Sequence, residues 1–179
     1  MGRKAGVTAD ETRTALLQGA AEVFARKGYD GASIADITSH AGLSSGAIYA
    51  HYESKAELFL AVVKEHGRRT FADLFGGGAL PAGDTALLIE ALVSSRRHPE
   101  VEELLATWLS ESESQLTENL RVAQRGGKLD PELSAEAAAR FLMMVSIGSH
   151  VIGSLSSPPV DHGEWTDLIA RVVRAGLPK

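Results

Sequence analysis

Apolar residues recur along the chain at three- and four-residue spacings, and no stretch alternates in the manner of a strand. Leu17, Ala20, Ala21 and Phe24 stand at i, i+3, i+4 and i+7, which predicts a helix from about Asp10 to Lys27. Gly28 stops it, with Tyr29 placed to pack back on Phe24. Two very short helices follow. Ser33 caps the first, with Asp36 near its positive end and Ile34, Ile37 and Ala41 as its buried stripe. Gly42 ends it, and Ser44 opens the second, whose inward residue is Ile48. Helix, glycine turn and helix at this spacing form a helix-turn-helix, over about residues 33–52.

A capping box, Ser54 to Glu57, starts a long fourth helix that runs through Phe59, Val62, Val63 and His66 towards Phe75 and closes at Gly76–Gly78. Further helices are expected over Thr85–Arg97, from Val101 to Arg125, over Ser134–Leu155 and over Asp161–Ala175. The fold class is all-α. A three-helix head over residues 1–53 is joined by the long helix to a helical body, the two together making residues 54–179 the second domain.

Composition narrows the chemistry. The 179 residues include no cysteine, which removes disulfides, thiolate nucleophiles and cysteine-based metal sites. No basic, apolar and small-residue succession marks a signal peptide. Arg140, Ser146, Ser149 and His150 interrupt the most apolar segment, so no membrane partner and a cytoplasmic location are expected. The net charge of −5 is unevenly spread. Residues 1–70 hold nine basic and eight acidic side chains, whereas residues 71–179 hold nine and fifteen. Only the first part suits an anionic partner, and Arg3 and Lys4 could serve it as a basic arm or remain a loose tail.

Residues 44–52, Ser-Ser-Gly-Ala-Ile-Tyr-Ala-His-Tyr, contain one strongly apolar side chain. A helix with such a face buries little, lets its backbone come close to a groove wall, and offers hydroxyls to phosphates and methyls to thymine. Ala20-Ala21-Glu22-Val23-Phe24-Ala25-Arg26-Lys27-Gly28-Tyr29, Ser33-Ile34-Ala35-Asp36-Ile37, Ala41-Gly42-Leu43-Ser44, Gly46-Ala47-Ile48-Tyr49 and Tyr52-Glu53-Ser54-Lys55-Ala56-Glu57-Leu58 follow one another at fixed spacing. In these motifs the chain resembles the DNA-binding head of the TetR family of bacterial transcriptional regulators, over about residues 10–63.

The resemblance implies a homodimer whose second short helices enter successive major grooves of double-stranded operator DNA. By position it would set Ser45, Gly46, Ala47 and Tyr49 towards bases and their adjoining backbone, and Ser33, Ser44, His51, Tyr52 and Lys55 towards phosphates. Lys55 in a first helical turn opposes the helix dipole, a conflict that an anionic partner would resolve. Two departures matter. Ala35 stands where many relatives carry a basic residue, and Ser45 where lysine is common, so modest affinity and a shallow salt dependence are expected.

In the body the resemblance is architectural only. Phe141, Met144, Val145, Gly148 and Ile152 form one apolar stripe and Met143, Ile147 and Val151 a second, so this helix should be buried on more than one side. With Ser149, and with Trp165, Leu168, Ile169 and Val172 of the last helix, they form the expected dimer interface; a plain intrachain core is the alternative. For an effector pocket the candidates are Phe71, Phe75, Leu105, Trp108, Met143 and His150, a lining suited to an apolar or aromatic small molecule. Neither Asp161-His162-Gly163-Glu164 nor His98-Pro99-Glu100 sets two ligands on one helical face, and no nucleophile elbow, phosphate loop or dinucleotide fingerprint occurs. No catalytic residue, metal or cofactor is therefore expected. The sequence reads as a DNA-binding repressor released by a small molecule. The alternatives are a helical ligand-binding or adaptor protein with weakened DNA binding, and a ligand-independent regulator or activator.

Overall fold

The computed structural model describes residues 9–76, 82–153 and 161–175. Within these helices the side chains of residues 9–11, 67–76, 82–85, 149, 150, 153, 162, 166, 169, 170 and 173–175 lie outside the described set. All regular structure among the described residues is helical. The elements are α1 (Ala9–Gly31), α2 (Ile34–Ala41), α3 (Ser45–Tyr49), α4 (Lys55–Gly76), α5 (Ala82–Ser95), α6 (Pro99–Arg125), α7 (Ala135–Gly153) and α8 (His162–Ala175). Among them no helix is long and apolar enough to cross a membrane.

The chain divides into two compact units. One takes residues up to Gly67 together with Ala86–Leu104; the other takes Arg68–Thr85 and everything from Leu105 onwards. The physical reason is the apolar face of early α4. Leu58, Phe59, Val62 and Val63 are fully buried in the first unit, which also buries Leu16, Val23, Phe24, Ile37, Ile48, Leu87 and Val101. Burying each such side chain is worth about 1.5–3 kcal/mol. The rings of Phe24 and Phe59 meet at 4.7 Å and those of Tyr29 and Phe59 at 5.2 Å.

Gly28 breaks α1 with φ 68°, and a Cβ there would stand 2.9 Å from Glu90 Oε1. Glycine meets both demands, a left-handed backbone and the close approach of a carboxylate. The break frees the N–H of Tyr29, which donates to Glu90 Oε1 at 2.7 Å, and Ser94 Oγ donates to the same oxygen. Asp30 pairs with Arg97 at 2.8 Å and His98 at 2.5 Å. The His98 hydrogen bond, helped by the Arg97 charge, holds the Asp30 carboxyl below its usual range. These contacts fasten the end of α1 to the α5–α6 turn.

In the second unit, α7 buries Ala135, Ala139, Leu142 and Ser146 along one stripe at helical spacing. Its start is held by Ser134, whose Oγ accepts from the N–H of Ala137, while Gln124 donates to the carbonyls of Asp130 and Leu133 in the preceding turn. Arg140 grips Glu113 of α6 with two parallel bonds of 2.7 and 2.8 Å, and Arg121 pairs with Glu136. The opposite stripe of α7 is not covered. Phe141, Met144 and Ile152 are exposed, Met144 at 65% and Ile152 at 60%.

Candidate nucleic-acid interface

Two caps and a left-handed glycine build the helix-turn-helix. The Ser33 hydroxyl accepts from the N–H of Asp36 at 3.1 Å, and Asp36 Oδ2 takes the N–H of Ser33 at 3.0 Å, so the pair closes a capping box. At the far end of α2 the N–H groups of Gly42 and Leu43 both donate to the carbonyl of Thr38, with Gly42 at φ 67°. Ser44 then caps α3 by accepting from Ala47. Close packing of α1 and α2 needs Gly19, where a Cβ would come within 3.0 Å of the Cβ of Ala41.

α3 turns one side inward. Ile48 is completely buried and Ala47 half-buried, while Ser45, Gly46, Tyr49 and Ala50 are exposed on the adjoining face, Tyr49 at 57%. Gly46 lacks a fold-based reason. Its φ is not positive, and an added Cβ would meet nothing nearer than Ser44 Oγ at 3.9 Å. It stands in the first turn of a five-residue helix, and among the described residues no packing requires a glycine there.

The remaining predicted contact residues divide into two groups. His51 is exposed just beyond α3, its ring beside that of Tyr52. Ser33, Ser44 and Ser45 are also exposed, although the hydroxyls of the first two serve as caps. Tyr52 and Lys55 are half-buried. The Tyr52 hydroxyl is buried and has no hydrogen-bond partner, so in this conformation it cannot meet a phosphate. Lys55 resolves its conflict with the helix dipole inside the fold. Its ammonium donates to the carbonyls of Tyr29 at 2.8 Å and Ala32 at 3.1 Å and lies 4.2 Å from the centre of the Tyr29 ring. At most one of its three hydrogens is left for a phosphate.

Sequence reasoning also passed over Lys27 and His40. Lys27 pairs with Asp36 at 2.7 Å, and that bond, reinforced by the two from Ser33, lowers the Asp36 carboxyl to about 2. His40 meets Glu22 at 2.6 Å. Charge periodicity along α1 and α2 does not announce pairs that form only when the two helices cross.

Of the candidate pocket residues, Leu105 is buried and Trp108 and Met143 are half-buried, while the side chains of Phe71, Phe75 and His150 lie outside the described residues. A cleft of about 240 Å³ in the second unit is lined by Leu120, Leu129, Leu133, Phe141, Leu142 and Val172 among others, and by none of the six. Of the expected dimer face, Phe141, Ile152, Leu168 and Val172 are exposed, and Val145, Gly148 and Trp165 half-buried. The side chains of Ser149 and Ile169 lie outside the described residues, as do Arg3 and Lys4 entirely. Among the described residues no three His, Asp or Glu side chains form a metal-binding group.

A packed three-helix support that presents a two-helix unit with a small, hydroxylated outer face is a helix-turn-helix DNA-binding module, the business end of a transcriptional regulator. Residues 16–62 match the family described as bacterial regulatory proteins, tetR family. It is 25% identical over 157 residues to the HTH-type transcriptional regulator UidR of Escherichia coli K12, a match covering 78% of this chain and 80% of UidR. Similarity to the HTH-type transcriptional repressor BepR of Brucella suis is 28% over 169 residues, covering 79% of each. The fold matches a TetR-family regulator from Rhodococcus with a TM-score of 0.78 at 18% identity, over 92% of this chain and 99% of the other. Both curated relatives are named as transcriptional regulators of the helix-turn-helix type.

Proposed function

We propose that the protein is a repressor that binds a palindromic operator as a homodimer and is released by an apolar small molecule. Gly46 carries the DNA-binding part of this reading. It sits on the outward face of α3, where nothing among the described residues requires a glycine. Close backbone approach to an external surface gives it a purpose, and a groove wall is such a surface. The exposed stripe of Phe141, Met144 and Ile152, with Leu168 and Val172 of α8, supports the homodimer. A soluble chain that leaves such a stripe open presents an interaction surface. Repression is supported by the likeness to BepR.

Release would be a population shift, in which the effector binds better to a form of the second unit that holds the two heads at the wrong spacing. Both α4 and α6 run from one unit into the other, so a displacement in the second has two continuous helices along which to reach the first. The apolar cleft lined by Leu120, Leu129 and Leu133 is one place for the effector, and the surroundings of Trp108 and Met143 another.

One observation favours a second reading, an adaptor or ligand-binding protein with weakened DNA binding. Residues 33–54 contain no lysine or arginine. Fluorescence-anisotropy titration decides between the two, using the duplex upstream of the gene, a scrambled duplex and several salt concentrations. Tight binding to the first duplex alone, lost in Gly46→Ala while thermal stability is kept or slightly raised, supports the repressor. Equal and weak binding to both duplexes by wild type and variant favours the adaptor.

A further inference from the structure

The outward face of α3 also limits which bases it can read. Resting on the operator-binding proposal, the relevant surface is Ser45, Gly46, Tyr49 and Ala50, flanked by His51. Guanine is most often read by a bidentate arginine or lysine and adenine by asparagine or glutamine. None of those four residue types occurs anywhere from Ser33 to Ser54. Of the two carboxylates in that span, which could accept from cytosine, Asp36 is engaged by Lys27 and Ser33, leaving Glu53 beyond the helix. Single hydrogen bonds from the hydroxyls of Ser45 and Tyr49 or from His51 remain, together with apolar surface.

That surface has a definite shape. The methyl of Ala50 and the ring of Tyr49 are exposed beside Gly46, where the missing side chain leaves open space next to two apolar neighbours. In the major groove the one apolar feature of a base edge is the 5-methyl group of thymine. We propose that this head reads its operator chiefly through thymine methyls seated against Gly46, Tyr49 and Ala50. The hydroxyls of Ser45 and Tyr49 add single bonds, and no guanine is held bidentately by the recognition helix.

The test uses the full-length protein and finds the operator as its first step. Selection from a random duplex pool defines the bound sequence, after which each thymine is replaced in turn by uracil, which removes the methyl and keeps the pairing. One or two thymines per half-site should each lose about fourfold in affinity, the worth of one methyl-sized group. In Ala50→Gly, checked by circular dichroism for retained helix, the penalty at one of those positions should shrink. A selected sequence whose uracil substitutions are silent, or whose core guanines lose more affinity on replacement by 7-deazaguanine than any thymine loses on replacement by uracil, overturns thymine reading and leaves operator binding standing. A pool that yields no common sequence overturns the operator proposal beneath it.

Discussion

The two compact units solve the problem of burying apolar surface in opposite ways. All eleven of the largest fully buried side chains among the described residues, from Leu16 to Val101, belong to the first unit. Of the nine exposed large apolar side chains among the described residues, seven belong to the second. The head therefore closes its own core and leaves outside a face too small and polar to bury itself. The other unit closes one stripe of α7 and leaves the next open. A side chain that completes nothing within its own chain points to what lies outside, and on the proposed function the partners are a nucleic acid for the first unit and a second copy for the second.

This contrast breaks most sharply at Phe24, whose ring meets those of Phe59 and Tyr29 in the first core. Phe24→Ala should destabilise the protein by about 3–5 kcal/mol, read as a lower midpoint in urea denaturation. A loss under about 1 kcal/mol would mean that the first unit is not the self-sufficient one.

Next in size is a charge on the open stripe of the second unit. Met144 is largely exposed in the single chain, so Met144→Glu should leave helix content unchanged. Self-association should weaken about thirtyfold or more if that stripe meets its copy, as for a central contact residue. Sedimentation velocity across a concentration series gives the answer. Unaltered dimerisation would move the interface elsewhere and return the stripe to the status of bare surface.

The parts of this architecture that are legible in the sequence are those written locally. Gly28, Ser33, Gly42 and Ser44 each signal their turn or cap within three or four residues, and the structure places all four in those roles. The long-range fastenings carry no such mark. Glu90 reaches Tyr29 across 61 positions and His98 reaches Asp30 across 68, and neither periodicity nor charge spacing names such partners. Lys55 shows that a local conflict can find part of its relief inside the fold. Its clash with the helix dipole is real, and two carbonyls at and beyond the end of α1 accept from its ammonium. Early α4 likewise belongs to the core of the first unit, which unites residues far apart in sequence.

Tyr29 offers a smaller perturbation of the same core. It is buried, its hydroxyl lies 3.4 Å from Glu100, and burial together with that carboxylate pushes the phenol up to about 12. The unfolded chain releases its tyrosine proton near pH 10. The contribution is therefore fully present below about pH 10 and is lost as pH rises through about 12. Urea midpoints measured across that range should fall more steeply for wild type than for Tyr29→Phe, which has no proton to lose. Equal slopes would place the ring in solvent.

The smallest effect lies at the opposite end of the pH scale, where the head's partner-facing surface doubles as its own scaffold. Asp36 is held at about 2 by Lys27 first and then by Ser33, whereas an unfolded aspartate titrates near 4. A lowered carboxyl contributes stability that is present above about pH 4 and disappears as pH falls through about 2. Lys27→Met removes the largest cause, so the acid limb of its stability curve should be shallower than that of wild type, with little difference at neutral pH because the pair is exposed to solvent. Ser33→Ala should cost about 1 kcal/mol at all pH values, the usual worth of an N-cap. A Ser33→Ala protein that keeps its stability yet loses DNA affinity would show that the hydroxyl serves the phosphate more than the helix. A loss of stability with affinity unchanged would return Ser33 to scaffold alone, and would leave Ser45, Gly46, Tyr49, Ala50 and His51 as the surface by which the head recognises DNA.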